Sequence, residues 1–401
     1  MEKIALLLAF FLSYYINQSG DKLKERANKI AHKYILIDTH IDAPLLLYEK
    51  WTDITKKNDD RNFDYVKAKE GGLDAPFMSI YTPANYENNG AKKYADKLIS
   101  LVYNVVQDNT DKFAFAFSYK DIIKNFNQGK ISLPMGMENG SPIEGDLKNL
   151  EYFYSKGIRY ITLAHSKSNH ICDSSYDPNK KWNGLSPFGV LVVKEMNRLG
   201  IMVDVSHISD SAFYQVLRVT QAPVIASHSS CRYFTPGWER NMSDDMIKAL
   251  AKNGGVIQIN FGSDFLKDEI LKKEEAGKKQ IKEYLNEHKL NEDSKEAESY
   301  KEKFWKENPM GFADVKDVAD HIDHVVKLVG IDYVGIGSDF DGLGDTLPVG
   351  LKDVSQYPNL IYELLKRGYS EKDIQKIMSG NLLRVWQKVE ETAKKIQQSR
   401  N

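Results

Sequence analysis

Ile201-Met202-Val203-Asp204-Val205-Ser206-His207 and, shortly after it, Pro223-Val224-Ile225-Ala226-Ser227-His228 are built alike. Each is a short apolar, β-branched run that stops at a serine and a histidine, the pattern of a buried strand with a polar end. A helix-like stretch precedes the pair: over Phe188 to Leu199, the residues Val192, Val193, Met196 and Leu199 fall on one face. Working outward, the same kind of run recurs at Tyr34 to Asp38, Phe77 to Tyr81, Ile131 to Met137, Arg159 to Leu163, Gly255 to Ile259 and Tyr333 to Ile336. Met246 to Lys252 and Val315 to Val329 are further helix-like stretches. Strands alternating with helices imply parallel βα units, and eight units are the count of a closed (β/α)8 TIM barrel. An open doubly wound sheet is the alternative; no Gly-x-Gly-x-x-Gly follows a strand to support it.

The 401 residues are 42% hydrophobic and 28% charged, a globular balance. Lys and Arg number 55 against 56 Asp and Glu, a net charge of -1, which argues against a nucleic-acid partner. Two cysteines exclude a disulfide scaffold and a four-cysteine zinc module. Lys3 followed by the apolar run Ile4 to Tyr15 and a polar boundary reads as a signal peptide over 1–20. The run is shorter than the ~20 residues that span a bilayer, and the polar C-terminus suggests no lipid-anchor signal. The expected protein is therefore exported, periplasmic or extracellular, with no stable membrane anchor in the mature chain. Residues 21–401 read as a single barrel domain. Its rhythm is broken after the seventh strand by Phe265 to Pro309, dense in Lys and Glu and read as a helical insertion over about 265–310. That insertion is either a solvated hairpin or a lid over the barrel mouth.

Barrel active sites lie at the C-terminal ends of the strands. There the sequence places His40 and Asp42 after the first run, Glu138 after the third and His165 after the fourth. His207 and His228 follow the fifth and sixth, and Asp339 and Asp341 the eighth. Four of the nine histidines thus stand just past a strand. A single buried histidine is ordinarily a hydrogen-bonded core residue. Several histidines and acids on one face, left without metal or partners, would cost several kcal/mol per ion. Imidazole nitrogen with carboxylate oxygen suits zinc and its neighbours. A carboxylate such as Glu138 can bridge two ions, one oxygen each. Two metals ~3.5–4 Å apart hold a shared hydroxide and polarise a carbonyl, while an acid such as Asp339 carries the proton to a leaving amine.

The motifs Ile37-Asp38-Thr39-His40-Ile41-Asp42, Gly136-Met137-Glu138-Asn139-Gly140, Thr162-Leu163-Ala164-His165, Asp204-Val205-Ser206-His207-Ile208-Ser209, Ala226-Ser227-His228-Ser229-Ser230, Arg240-Asn241 and Gly337-Ser338-Asp339-Phe340-Asp341-Gly342 occur in this order along nearly the whole chain. In these the chain resembles the membrane dipeptidase (renal dipeptidase) family, zinc metallopeptidases of family M19, and more its bacterial members. The resemblance implies two Zn2+ per chain and hydrolysis of dipeptides, including those with a C-terminal D-residue. It implies His40 and Asp42 on the first ion, Glu138 bridging, and His207 and His228 on the second. It implies substrate contact by His165, capture of the substrate's C-terminal carboxylate by Arg240, and proton and amine handling by Asp339. A guanidinium suits a carboxylate because it binds both oxygens at once. Arg232 is the other arginine in reach of that role. The family also implies a homodimer.

Rival readings are another binuclear amidohydrolase acting on an N-acyl amino acid, cyclic amide or lactone, and a non-catalytic binding protein on a decayed barrel. His170 is expected beside the pocket or in a supporting hydrogen bond, and His321 and His324, one helical turn apart, in packing. Cys172 and Cys231 both follow strand ends, but spacing alone gives no distance for a disulfide.

Overall fold

The computed structural model describes residues 20–292 and 294–399, so all but the last residue of the segment read as a signal peptide lies outside the described residues. Eight strands form the main sheet: β1 (Ile37–Ile41), β2 (Ala75–Tyr81), β3 (Met135–Glu138), β4 (Ile158–Thr162), β5 (Met202–Asp204), β6 (Ile225–Ala226), β7 (Val256–Ile259) and β8 (Val334–Ile336). They pair in parallel and in chain order. The ring closes where β8 runs out against β1. Phe340 bridges Ile41, the Asp339 amide donates to the His40 carbonyl at 3.1 Å, and the Asp42 amide donates to the Phe340 carbonyl at 2.9 Å. The sheet is therefore the closed α/β barrel rather than the open alternative.

Two strands depart from the sequence expectation. The first begins at Ile37 instead of Tyr34, because the Tyr34 amide is still bonded to the Ile30 carbonyl of the preceding helix. His40 therefore lies within β1, not beyond its end. The third run is split at Pro134, which has no amide to give to a ladder. Ile131–Ser132 pairs aside with Phe113–Ala114, and only Met135–Glu138 joins the barrel.

The helices carry their own start and stop signals. Pro187–Leu199 is capped by the Ser186 hydroxyl, has Pro at its first position, and ends at Gly200 with φ 86°. Val315–Val329 opens with a capping box between Asp314 and Asp317. The floor of the barrel is apolar: Ile37, Phe77, Tyr160, Met202, Ile225 and Val256 pack on Leu382, Val385 and Trp386 of the C-terminal helix Asn381–Gln398. Gly136 leaves room for this inward layer, since a Cβ there would stand 1.9 Å from the Tyr160 ring.

The insertion is helical as expected, with helices Asp268–Glu287 and Lys295–Glu307. It has a small core of its own, Ile281, Leu285 and Ala297, with Tyr284 stacked on Tyr300 at 3.6 Å. Spacings of i,i+4 give exposed pairs such as Lys272 with Asp268 at 2.5 Å. Among the described residues no helix is long and apolar enough to cross a membrane.

Candidate metal centre

Strand register builds the rim. Tyr81 pairs with Glu138, Glu138 with Thr162, and Thr162 with Asp204, so the last residues of β2 to β5 stand side by side at the C-terminal edge. Glu138 is the hub. Its Oε2 lies 3.5 Å from His40 Nε2, and its Oε1 lies 3.1 Å from His207 Nε2, 3.2 Å from His228 Nε2 and 3.6 Å from His165 Nε2. His40 Nε2 is also 3.5 Å from Asp42 Oδ2 and 3.9 Å from Asp339 Oδ1. His40, Asp42, Glu138, His207, His228 and Asp339 are all buried. Three overlapping groups are close enough to hold an ion: His40, Glu138 and His228; Glu138, His165 and His207; His40, Asp42 and Asp339.

The loop after each strand is bent to aim these groups. His207 and Asp339 have left-handed φ of 68° and 66°, a conformation that costs a non-glycine residue roughly 1–2 kcal/mol. Asp42 stands at the N-cap of helix Ala43–Glu49, yet its side chain caps nothing, and its Oδ1 is buried without a hydrogen bond. Gly342 gives that carboxylate space, because a Cβ there would lie 2.3 Å from Asp42 Oδ2.

A second layer orients the imidazoles. His40 Nδ1 meets the Tyr160 hydroxyl at 2.8 Å. His228 Nδ1 meets the Ser227 hydroxyl at 2.7 Å, which in turn donates to Asp204 Oδ2 at 2.6 Å. Both arrangements occupy Nδ1 and turn Nε2 toward Glu138, as metal-ligand histidines require. Asn260 donates to Asp339 Oδ2 at 2.8 Å and accepts from the Gly262 amide at 2.6 Å, so its amide is fixed at both ends. Sequence reading left Tyr160, Ser227, Asp204 and Asn260 without roles. Asp204 and Ser227 lie inside the quoted motifs, whereas Tyr160 and Asn260 had no local signal, being set by the inward side of β4 and the turn after β7.

Burial would raise the Glu138 carboxyl, but the fields of His40 and His165 and bonds with His207 and His228 hold it well below the usual carboxylate range. Burial and the field of Arg240 keep His207 far below the ordinary imidazole value, and burial with the His40 field takes His228 down to about 3. Burial also lowers His165. Each shift favours the neutral ring, the form that binds metal. His207 Nε2 and His228 Nε2 stand 2.7 Å apart, and His40 Nε2 is buried without a hydrogen bond. Crowded imidazole nitrogens with orphaned carboxylate oxygen fit a cation of the zinc type. Burial raises the Asp339 carboxyl against the opposing fields of His228 and His40.

Arg240 is buried beside this cluster. Its guanidinium donates to Ser229 Oγ at 2.8 Å and to the His228 carbonyl at 2.7 Å, stands 2.9 Å from His207 Nε2, and leaves Nε without a partner. It is not among the residues lining the main cavity. Arg232 faces away, forming a fork with Asp210 at 2.6 and 2.7 Å. Asp341 also points elsewhere, accepting from the Asn62 amide at 2.6 Å. His170 pairs with Glu87 at 2.8 Å, while His321 bonds the Cys231 amide and His324 bonds Asp244. Cys172 and Cys231 are free and buried. The cavity above the cluster has a volume of about 610 Å³, with Tyr81, Tyr176, Leu45 and Leu343 on its walls and Asp264, Glu274 and Lys278 on the side of the insertion.

Fold and cluster together define a class, the (β/α)8 barrels with a site fit for metal at the C-terminal ends of the strands. The sequence model of the family described as Membrane dipeptidase (Peptidase family M19) matches residues 24–400, and the chain belongs to this family of metallopeptidases. It is 32% identical to Dipeptidase 3 of Mus musculus over 390 residues, which are 94% of this chain and 69% of that protein. The crystal structure of the probable dipeptidase PvdM from Pseudomonas aeruginosa superposes with a TM-score of 0.81 at 28% identity, covering 93% of this chain and all of the other. A metallo peptidase from Rhodobacter sphaeroides, liganded with a phosphinate mimic of the dipeptide L-Ala-D-Ala, shares the fold with a TM-score of 0.72 at 24% identity, over 89% of this chain and 99% of that one. The protein is accordingly an enzyme, a dipeptidase. Membership favours dipeptides over N-acyl amino acids, cyclic amides and lactones, and catalysis over a decayed barrel.

Proposed function

We propose that the protein is a zinc dipeptidase whose centre holds two ions, with His40 and Asp42 on one, His207 and His228 on the other, and Glu138 between them. The observation that carries this reading is the division of the Glu138 carboxylate, with Oε2 toward His40 and Oε1 toward His207 and His228. When bound, the ions supply the Lewis acidity that polarises a scissile carbonyl and makes water nucleophilic at neutral pH. The chain's own residues do the rest. Asp339, with Oδ2 tied to Asn260, takes the proton of the attacking water and returns it to the leaving nitrogen. His165, on the cavity wall, hydrogen-bonds the carbonyl oxygen as charge develops there. Arg240 holds the C-terminal carboxylate and so limits the substrate to two residues. The L-Ala-D-Ala mimic in a protein of the same fold supports tolerance of a C-terminal D-residue.

The chain reads as a leader over 1–20 and one catalytic domain over 21–401, exported to the periplasm or cell exterior and paired as a homodimer. The apolar run behind Lys3 supports export, and family resemblance supports the dimer. A panel of L-L and L-D dipeptides with one tripeptide tests the reading. Zinc-dependent cleavage of both dipeptide types, with the tripeptide spared, is expected. Equal cleavage of the tripeptide would remove the arginine clamp.

A further inference from the structure

The family's chemistry needs only the metal cluster, Asp339 and the groups that hold the peptide ends. The cavity of this chain has a charged wall besides, and that wall comes from the insertion. Asp264 stands on the turn that leads into it, and Glu274 and Lys278 stand one turn apart on its first helix; all three line the same cavity as Glu138, His165 and Asp339. The lining away from the metal cluster and this wall includes Leu45, Leu343 and Thr346 and one further lysine, Lys167.

The wall itself carries two carboxylates against one ammonium, and Lys167 belongs to the loop after β4 rather than to the wall. Lys278 pairs with Glu274 at 2.8 Å, but the lysine side chain is 66% exposed while the glutamate is 16% exposed. An exposed pair of this kind contributes little, so the ammonium is free to swing into water and yield its place to another cation. Asp264 has no salt bridge among the described residues. Burial and the field of Glu274 push its carboxyl up to about 7, with Lys278 offsetting only part. A half-buried carboxylate in the field of a second one and open to a cavity gains more from a bound cation than from a neutral group. Asp264 also feels the field of Asp339, which lines the same cavity and to which the family resemblance assigns the substrate's amine.

We propose that Asp264 and Glu274 form a subsite for the cationic side chain of the substrate's first residue, so that the enzyme prefers dipeptides beginning with lysine or arginine. This rests on the dipeptidase reading above. On binding, the substrate's ammonium or guanidinium takes the place of Lys278 against Glu274 and supplies Asp264 with the counter-charge it lacks. An uncharged first side chain leaves the wall as it is and is cleaved with lower kcat/KM.

The test compares Lys-Ala, Arg-Ala, Ala-Ala and Ala-Lys on the zinc-loaded full chain, on Asp264→Asn, on Glu274→Gln and on the double variant. For the parent protein, kcat/KM for Lys-Ala and Arg-Ala should exceed that for Ala-Ala by about tenfold or more, and the excess should shrink with added salt. The double variant should bring the ratio to about one while holding Ala-Ala within about threefold. Glu274→Gln lies on a solvated helix and should fold even if Asp264→Asn does not; it should lower the ratio on its own. An unchanged ratio in the variants overturns the inference. So does a preference for Ala-Lys, or a fall on Ala-Ala in step with Lys-Ala, which would assign the acids to the α-ammonium common to all dipeptides. Failure of the underlying reading would show differently, as no cleavage of Ala-Ala by the parent protein.

Discussion

The two ends of the barrel share β1, β4, β5 and β6 and do opposite things. At the floor, β1, β2, β4, β5, β6 and β7 contribute Ile37, Phe77, Tyr160, Met202, Ile225 and Val256, and Trp386 of the last helix closes the layer. At the mouth β1, β3, β4, β5, β6 and β8, or the loops that follow them, contribute His40, Glu138, His165, His207, His228 and Asp339. The floor is stabilised by removal of apolar surface from water; the mouth gathers charges whose mutual burial stabilises nothing by itself. Stability and chemistry are therefore separable along the barrel axis, and Tyr160 is the one side chain that belongs to both, packing on Phe77 while its hydroxyl meets His40.

The largest separation should come at the mouth. Glu138→Gln keeps the volume and removes the charge that faces four histidines. Steady-state kinetics should show kcat down by roughly three orders of magnitude or more, with a thermal midpoint close to the parent's. Its counterpart at the floor is Trp386→Ala, which should lower unfolding free energy by ~3–5 kcal/mol in denaturant titration and leave kcat of the folded protein near normal. If either variant did the other's work, the division between floor and mouth would break.

Smaller effects sharpen the boundary. Arg240→Ala should raise KM for dipeptides ~10–100-fold and weaken the discrimination against a tripeptide, because it removes charge-assisted hydrogen bonds. Tyr160→Phe keeps the packing on Phe77 and deletes the partner of His40 Nδ1. Equilibrium dialysis should show zinc affinity at one site reduced ~10–100-fold with little change in stability of the chelated protein.

A pH-dependent effect lies at the floor, where Asp74, just before β2, accepts the Leu36 amide at 3.0 Å and is pushed by burial up to about 7. A carboxyl raised on folding favours the native state fully below its unfolded value of ~3.9, and that benefit is lost as pH rises toward 7. Asp74→Asn should therefore gain stability over the parent progressively from pH 4 to 7 and hold a constant lead above it. A lead that shrank with rising pH would contradict the assigned cause.

Much of this was legible in sequence because strand ends are local. Ser206-His207 and Ser227-His228 each announce where a buried run stops, and eight such stops gave the barrel and its mouth. Helix bounds were legible for the same reason, since Ser186 and Gly200 mark the ends of Pro187–Leu199. The misplaced start of β1 shows the limit: Tyr34 to Leu36 is as apolar as a strand, but the Tyr34 amide still bonds Ile30 of the helix and the Leu36 amide goes to the Asp74 side chain instead of a ladder. Tyr160 and Asn260 were out of reach because their roles depend on which side chain the closed barrel sets opposite them. Of the acidic wall, Glu274 was hidden within a stretch whose composition reads as solvated helix and Asp264 stands just before it, and only their position on the cavity distinguishes them.

The central claim is that the mouth is a two-zinc dipeptidase centre, and it is tested most directly by titrating zinc into chelated protein while following bound metal and Ala-Ala cleavage together. The account predicts no cleavage in the chelated protein, binding that stops at two ions per chain, and full activity only as the second site fills. Cleavage that survives complete chelation, or two tightly bound zinc ions with no dipeptide cleavage, would contradict it.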